Sequence, residues 1–189
     1  MNATAGPGAP QDQISGRYDR MTIALHWAVA VIVLFQWSSG QTIDWFPKGD
    51  ARIAARSVHI VLGVTLSLLL ALRIVWRARY GTRLPRASRG MVGIAAQAVH
   101  YALYLLLIAI VTLGIAGTTV RGDSIFGLFN IPRFGAYADV VRHALANQII
   151  DWHGLVANII LVMAGLHAGA ALVHRYLFSD KVLQRMLLS

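Results

Sequence analysis

DWHGLVANIILVMAGLHAGAALVHRY, residues 151–176, decides the fold. No charged side chain lies between Asp151 and Arg175, yet the stretch holds His153, His167 and His174. A helix needs roughly 20 apolar residues to cross a bilayer, and Trp152–His174 supplies 23 without a charge. From His153 to His167 is 14 residues, close to four turns. The two rings therefore share a face, about 21 Å apart along the axis. Seven residues further, His174 falls on a similar face at the end of the span. Polar rings in hydrocarbon are costly, so partners inside a helix bundle are required.

Three more charge-free runs accompany this one: Met21–Ile43, Ser57–Leu72 and Gly90–Val120, the second extending past a snorkelling Arg73. The first is too long for the apolar core of a cleaved signal peptide, and no small-residue cleavage site follows it. The composition agrees with a membrane protein, at 57% hydrophobic, 13% charged and mean hydropathy +0.58. The expected architecture is all-α, an up-down-up-down four-helix bundle in the membrane. Its helices are expected at about 21–43, 57–79, 90–120 and 148–178. Residues 1–16, rich in Gly, Pro and polar side chains, are expected to form a disordered tail before a single domain, 17–189.

Composition also excludes chemistry. All eight acids are Asp, and none lies inside an apolar run, which disfavours a paired-carboxylate site. The absence of Cys excludes disulfides, iron–sulfur clusters, thiol catalysis and covalent haem attachment. The net charge of +9 is a topology signal. The segment RARYGTRLPRASRG carries Arg77, Arg79, Arg83, Arg86 and Arg89 without an acid, and both terminal flanks are basic. The positive-inside rule then places both termini in the cytoplasm and the segments 44–56 and 121–151 outside. Membrane lipid, rather than nucleic acid, is the partner for these arginines.

Depth matches the histidines across helices. His26 lies about one turn into the first span and His59 near the outer start of the second. Two pairs follow, His26 with His167 and His59 with His153. Two imidazoles on facing helices can clamp a haem, and bundles commonly build cofactor sites this way. Gly63, Gly154 and the small residues around His167, including Gly165 and Gly169, would leave room for a porphyrin. Zinc fits poorly, because ligands about 21 Å apart cannot share one ion.

The chain resembles the four-helix bacterial cytochrome b561 family. The similarity rests on RYDRMTIALHW, VHIVLGVTLSLLLALRIVWRARY, HYALYLLLIAIVTLGIAG and WHGLVANIILVMAGLHAGAALVHRYLFSDKVLQRML, and runs from about residue 17 to the C-terminus. The resemblance implies a bacterial inner-membrane protein with two haem b, with His26, His59, His153 and His167 as axial ligands. Within the family it is similar to proteins that take electrons from superoxide and give them to ubiquinone, and the resemblance implies that His174 lies near the quinone end. His100 and His174 are candidates for quinone contact, and Arg73 and Arg77 for haem propionates. Lys48, Arg52 and Arg56 are candidates for drawing in an anionic donor. Trp27 and Trp152, beside two of the histidines, suit an interfacial belt, and His143 suits solvent. Two other readings stand: a quinone-linked cytochrome b subunit of a dehydrogenase or hydrogenase that docks a periplasmic redox partner, and a haem-free scaffold or transporter.

Overall fold

The computed structural model describes residues 16–85, 90–178 and 182–187. Four long helices dominate: α1 (Arg20–Thr42), α2 (Asp50–Arg79), α3 (Gly90–Arg121) and α4 (Asp139–Tyr176). All four are long and apolar enough to cross a membrane. Two two-residue strands, β1 (Ser124–Ile125) and β2 (Phe129–Asn130), form a small antiparallel hairpin after α3. The expected tail 1–16 lies, but for Gly16, outside the described residues.

Local chemistry sets the helix ends. Asp19 caps α1, accepting from the Thr22 amide at 2.8 Å. After Thr42 the chain tightens into a 3-10 turn, Ile43–Trp45, before Pro47 prevents its continuation. Gly122, at φ +70°, terminates α3, with the amides of Gly122 and Asp123 both donating to Thr118. A Cβ at position 122 would meet the Arg133 side chain.

Two helices start earlier than the apolar runs suggest, α2 at Asp50 rather than 57 and α4 at Asp139 rather than 148. A helix of 38 residues is about 57 Å long, far more than the hydrocarbon needs. The first turns of α4 therefore project beyond the membrane. Hydropathy marks the apolar part of such a helix and misses its wet extension.

Packing is uneven. The helices α1 and α2 form one tight antiparallel hairpin and α3 and α4 another, while contacts between the hairpins are sparse. A cleft consequently runs between them. Trp37 of α1 crosses it midway, donating to Asn158 of α4 at 2.9 Å. The buried core is small, including Ile23, Leu25 and Val29 on α1, Leu66 and Leu70 on α2, and Ile160 on α4. Most other large apolar side chains face outward, as a chain solvated by lipid requires.

The bundle has two ends. The terminal end carries the start of α1, residues 80–85 and the C-terminal segment 182–187. There Asp19 also accepts from the Trp76 indole (2.9 Å) and the Thr82 amide (2.9 Å), and Trp27 donates to the Met186 carbonyl (2.7 Å). Burial works to raise the Asp19 carboxyl, but the bonds from Thr82, Thr22 and Trp76 outweigh it and hold it well below the usual carboxylate range. At the opposite end, Arg142 is buried on α4 and ties the 122–138 segment down. It donates to the carbonyls of Val120 (3.0 Å), Phe134 (3.4 Å), Gly135 (3.0 Å) and Tyr137 (3.4 Å).

Candidate functional site

A single interval, fourteen residues, organises the cleft on every helix. It separates His26 from Gly40 on α1, His59 from Arg73 on α2, His100 from Gly114 on α3 and His153 from His167 on α4. Fourteen residues bring a helix back to nearly the same face. The four pairs therefore stack in two levels. His26, Arg73, His100 and His167 stand toward the terminal end; Gly40, His59, Gly114 and His153 stand toward the opposite end.

At the opposite level two histidines face each other across the cleft. The rings of His59 and His153 are 6.1 Å apart, centre to centre. Each rests against a glycine of its own hairpin. A Cβ at Gly40 would lie 3.3 Å from Cε1 of His59, and one at Gly114 3.3 Å from Cε1 of His153. Ser39 Oγ lies 2.9 Å from Nδ1 of His59, and the Gln36 amide donates to the His59 carbonyl at 2.9 Å. Nδ1 of His153 is buried and makes no hydrogen bond of ordinary geometry among the described residues, though the Ile110 backbone lies close enough to the ring to interact with it.

At the terminal level, polar groups replace the glycines. The His26 and His167 rings are 6.5 Å apart. Arg73 lies against His26, donating from Nη1 to Nδ1 at 2.9 Å and from Nε to the Tyr104 hydroxyl at 3.1 Å. His100 lies against His167 with ring centres 5.0 Å apart, its own Nδ1 donating to the Ala96 carbonyl.

These distances test whether the residues fit a haem. Two imidazoles on one iron place their ring centres about 6 Å apart, for metal–nitrogen bonds of about 2 Å. The separations of 6.1 and 6.5 Å fit; that of His100 and His167 is too short. Among the described residues no cluster of three or more metal-ligating side chains occurs.

The remaining candidates fall into place with some revision. Arg77 donates to the Thr82 carbonyl (2.6 Å) and lies over the Tyr18 ring at 4.7 Å, which commits it to the terminal connection. His174 packs on Phe178, ring centres 5.4 Å apart, at the end of α4. Arg52 is held by Asp44 (3.3 Å) and the Phe46 carbonyl, and Arg56 faces Asp123 (3.5 Å). Of the three candidates for steering an anion, only Lys48 is exposed without a hydrogen bond or ion pair among the described residues. His143 is exposed, as is Trp152, while Trp27 is tied to Met186. Gly154, Gly165 and Gly169 look onto open space, whereas the room beside Gly63 is taken by Gln36, 3.2 Å from a Cβ there.

Sequence reasoning missed Gly40, Gly114, Ser39 and Tyr104. Glycine carries no chemistry of its own, but the fourteen-residue spacing from His26 and His100 was a usable signal.

The model of the family described as prokaryotic cytochrome b561 matches residues 17–188. The chain belongs to the prokaryotic cytochrome b561 family. It is therefore a multi-pass membrane protein of a haem b-binding, electron-transferring family. It is 34% identical over 175 residues to the probable superoxide oxidase CybB of Yersinia pestis, covering 90% of this chain and 96% of that one. It is 30% identical to cytochrome b561 homolog 1 of Escherichia coli, covering 90% and 97%. Against cytochrome b562 of Cereibacter sphaeroides the identity is 27%, covering 90% and 94%. Of these three names, one carries an enzymatic activity and two name a cytochrome.

Proposed function

We propose that this chain is a two-haem cytochrome that moves single electrons across the membrane, oxidising superoxide at one face and reducing ubiquinone at the other. The observation that carries the reading is the pair of interhelical histidine contacts, 6.1 and 6.5 Å between ring centres, at two levels of one cleft. A haem with both axial positions filled exchanges one electron at a time and leaves no site for oxygen.

The chain's own residues supply the rest. His59 and His153 hold the group at the opposite level, and His26 and His167 hold the one at the terminal level. In His59, Ser39 Oγ lies beside Nδ1 and can accept its proton, the tautomer that leaves the Nε2 lone pair for a metal. Basic residues at the terminal end support a cytoplasmic position for both termini. The face carrying β1 and β2 is then periplasmic and meets the donor. His174 and His100, at the terminal end, are the candidates for contact with a quinone headgroup. The similarity to a probable superoxide oxidase supports superoxide as donor.

Superoxide supplied to the purified protein is expected to reduce its haem, read in the visible spectrum, faster than spontaneous dismutation removes the donor, and ubiquinone to reoxidise it. Failure of the first step with haem present sinks the superoxide reading and leaves the cytochrome. A second reading, an electron carrier serving a periplasmic partner, is favoured by the apolar tip of the β1–β2 hairpin. Phe126, Leu128 and Phe129 are exposed there, and a redox partner that copurifies through that tip would support it.

A further inference from the structure

Three charged side chains, Arg56, Arg121 and Asp123, cluster above the His59–His153 level. Asp123, just after α3, is buried, its side chain 4% exposed. One of its oxygens accepts from Nε (3.1 Å) and Nη2 (2.8 Å) of Arg121. Its other oxygen faces Nη1 of Arg56 at 3.5 Å. A single carboxylate thus holds two guanidiniums side by side, and one positive charge is left over. Nη1 of Arg121 and the remaining nitrogens of Arg56 have no partner among the described residues.

Helical position aims both arginines at the cleft. Arg56 is three residues before His59, one turn away on its face of α2. Arg121 is seven residues after Gly114, two turns along the face of α3 that meets His153. Arg121 is also close enough to act electrostatically on both rings. The pair is only about a third exposed, 27% for Arg121 and 32% for Arg56. An unneutralised cation so placed is costly, and an arginine fork matches a carboxylate in shape and charge.

We propose that Arg121 and Arg56, presented by Asp123, form the receptor for a carboxylate of the porphyrin seated between His59 and His153. The assignment rests on the two-haem reading above. It moves Arg56 from steering a substrate to holding the cofactor, and gives Asp123 the task of keeping two like charges within reach of one anion. Fork recognition, rather than net charge, is what the buried carboxylate adds.

The test uses the intact holoprotein carrying haem labelled with carbon-13 in its propionates. In redox-difference infrared spectra, a labelled carboxylate band is expected to shift in Arg121→Gln and in Arg56→Gln. In the same variants, potentiometry is expected to show a lower midpoint for the haem that His59→Ala removes, with the other unmoved. In Asp123→Asn, which keeps both guanidiniums and removes their counter-charge, that midpoint is expected to rise. Should the Gln variants not accumulate, Arg121→Lys keeps the charge and loses the fork, and its labelled band is expected to shift as well. Both haems present with labelled bands unmoved overturns the assignment alone. Slower reduction by superoxide with bands unmoved gives the pair to an external anion and also overturns it. A chain with no Soret band fails the two-haem reading instead.

Discussion

Gly114 and His153 are in close apposition: a Cβ on the glycine would lie 3.3 Å from Cε1 of the ring. The same 3.3 Å relates Gly40 to His59. Each histidine is thereby backed by a neighbouring helix with no side chain in between, which fixes the ring across the cleft. A methyl group would displace the ring by a few tenths of an ångström; an isobutyl group has no room. Gly114→Ala should retain both haems with a perturbed spectrum for one, and Gly114→Leu should lose one of the two. Haem quantified per chain checks this, and a Leu variant that keeps both haems would mean that the glycine is not a spacer.

The C-terminal histidine separates cofactor binding from turnover. His174 stands seven residues beyond His167 and outside both ring pairs. His174→Ala should keep both haems and slow quinone-dependent reoxidation by at least about tenfold, equivalent to about 1.4 kcal/mol of barrier. Stopped-flow reoxidation by ubiquinone measures it. Loss of a haem in this variant would show that the ligand assignment is wrong.

Acid should loosen the terminal end through Asp19. Its folded carboxyl titrates below the ordinary value of about 4. The stabilisation is therefore present above that unfolded value and is lost as pH falls through the lower folded one. Asp19→Ala removes the cap of α1 and should cost about 1–2 kcal/mol at neutral pH. Melting temperatures from pH 7 downward should converge for variant and parent in strong acid. Parallel curves would mean that the carboxylate is not the group being titrated.

Arg142 is expected to control the loop after α3. Replacing it by Met strands the backbone carbonyls of Val120, Phe134, Gly135 and Tyr137. A cost of about 1–3 kcal/mol follows from unmade bonds to a buried group. Limited proteolysis should then cut within 122–138 faster, while haem content is retained. An unchanged cleavage rate would remove the clasp role.

Much of this was legible in the chain because hydrocarbon leaves so few options. Four apolar runs give four helices, and a costly polar ring in such a run needs a partner at its own depth. His26, His59, His153 and His167 could therefore be paired before any coordinates. Their backing could not, since Gly40 and Gly114 matter only through what they omit. Arg73 looked like a residue for the membrane edge, yet it is fourteen residues from His59 and so stands level with His26. The Asp123 cluster was hidden for another reason. It joins a helix start, a helix end and a loop, and no periodicity links Arg56 to Arg121. The wet extension of α4 was lost because Arg142 and His143 resemble loop residues in one dimension.

The proposed cytochrome holds two haems, each between two helices. The most direct measurement is the reduced-minus-oxidised spectrum with haem quantified per chain, for the parent, His26→Ala and His59→Ala. Two b-type haems are expected in the parent, with the loss of a different one in each variant. A parent with a single haem, or variants that lose the same one, would contradict the two-haem reading.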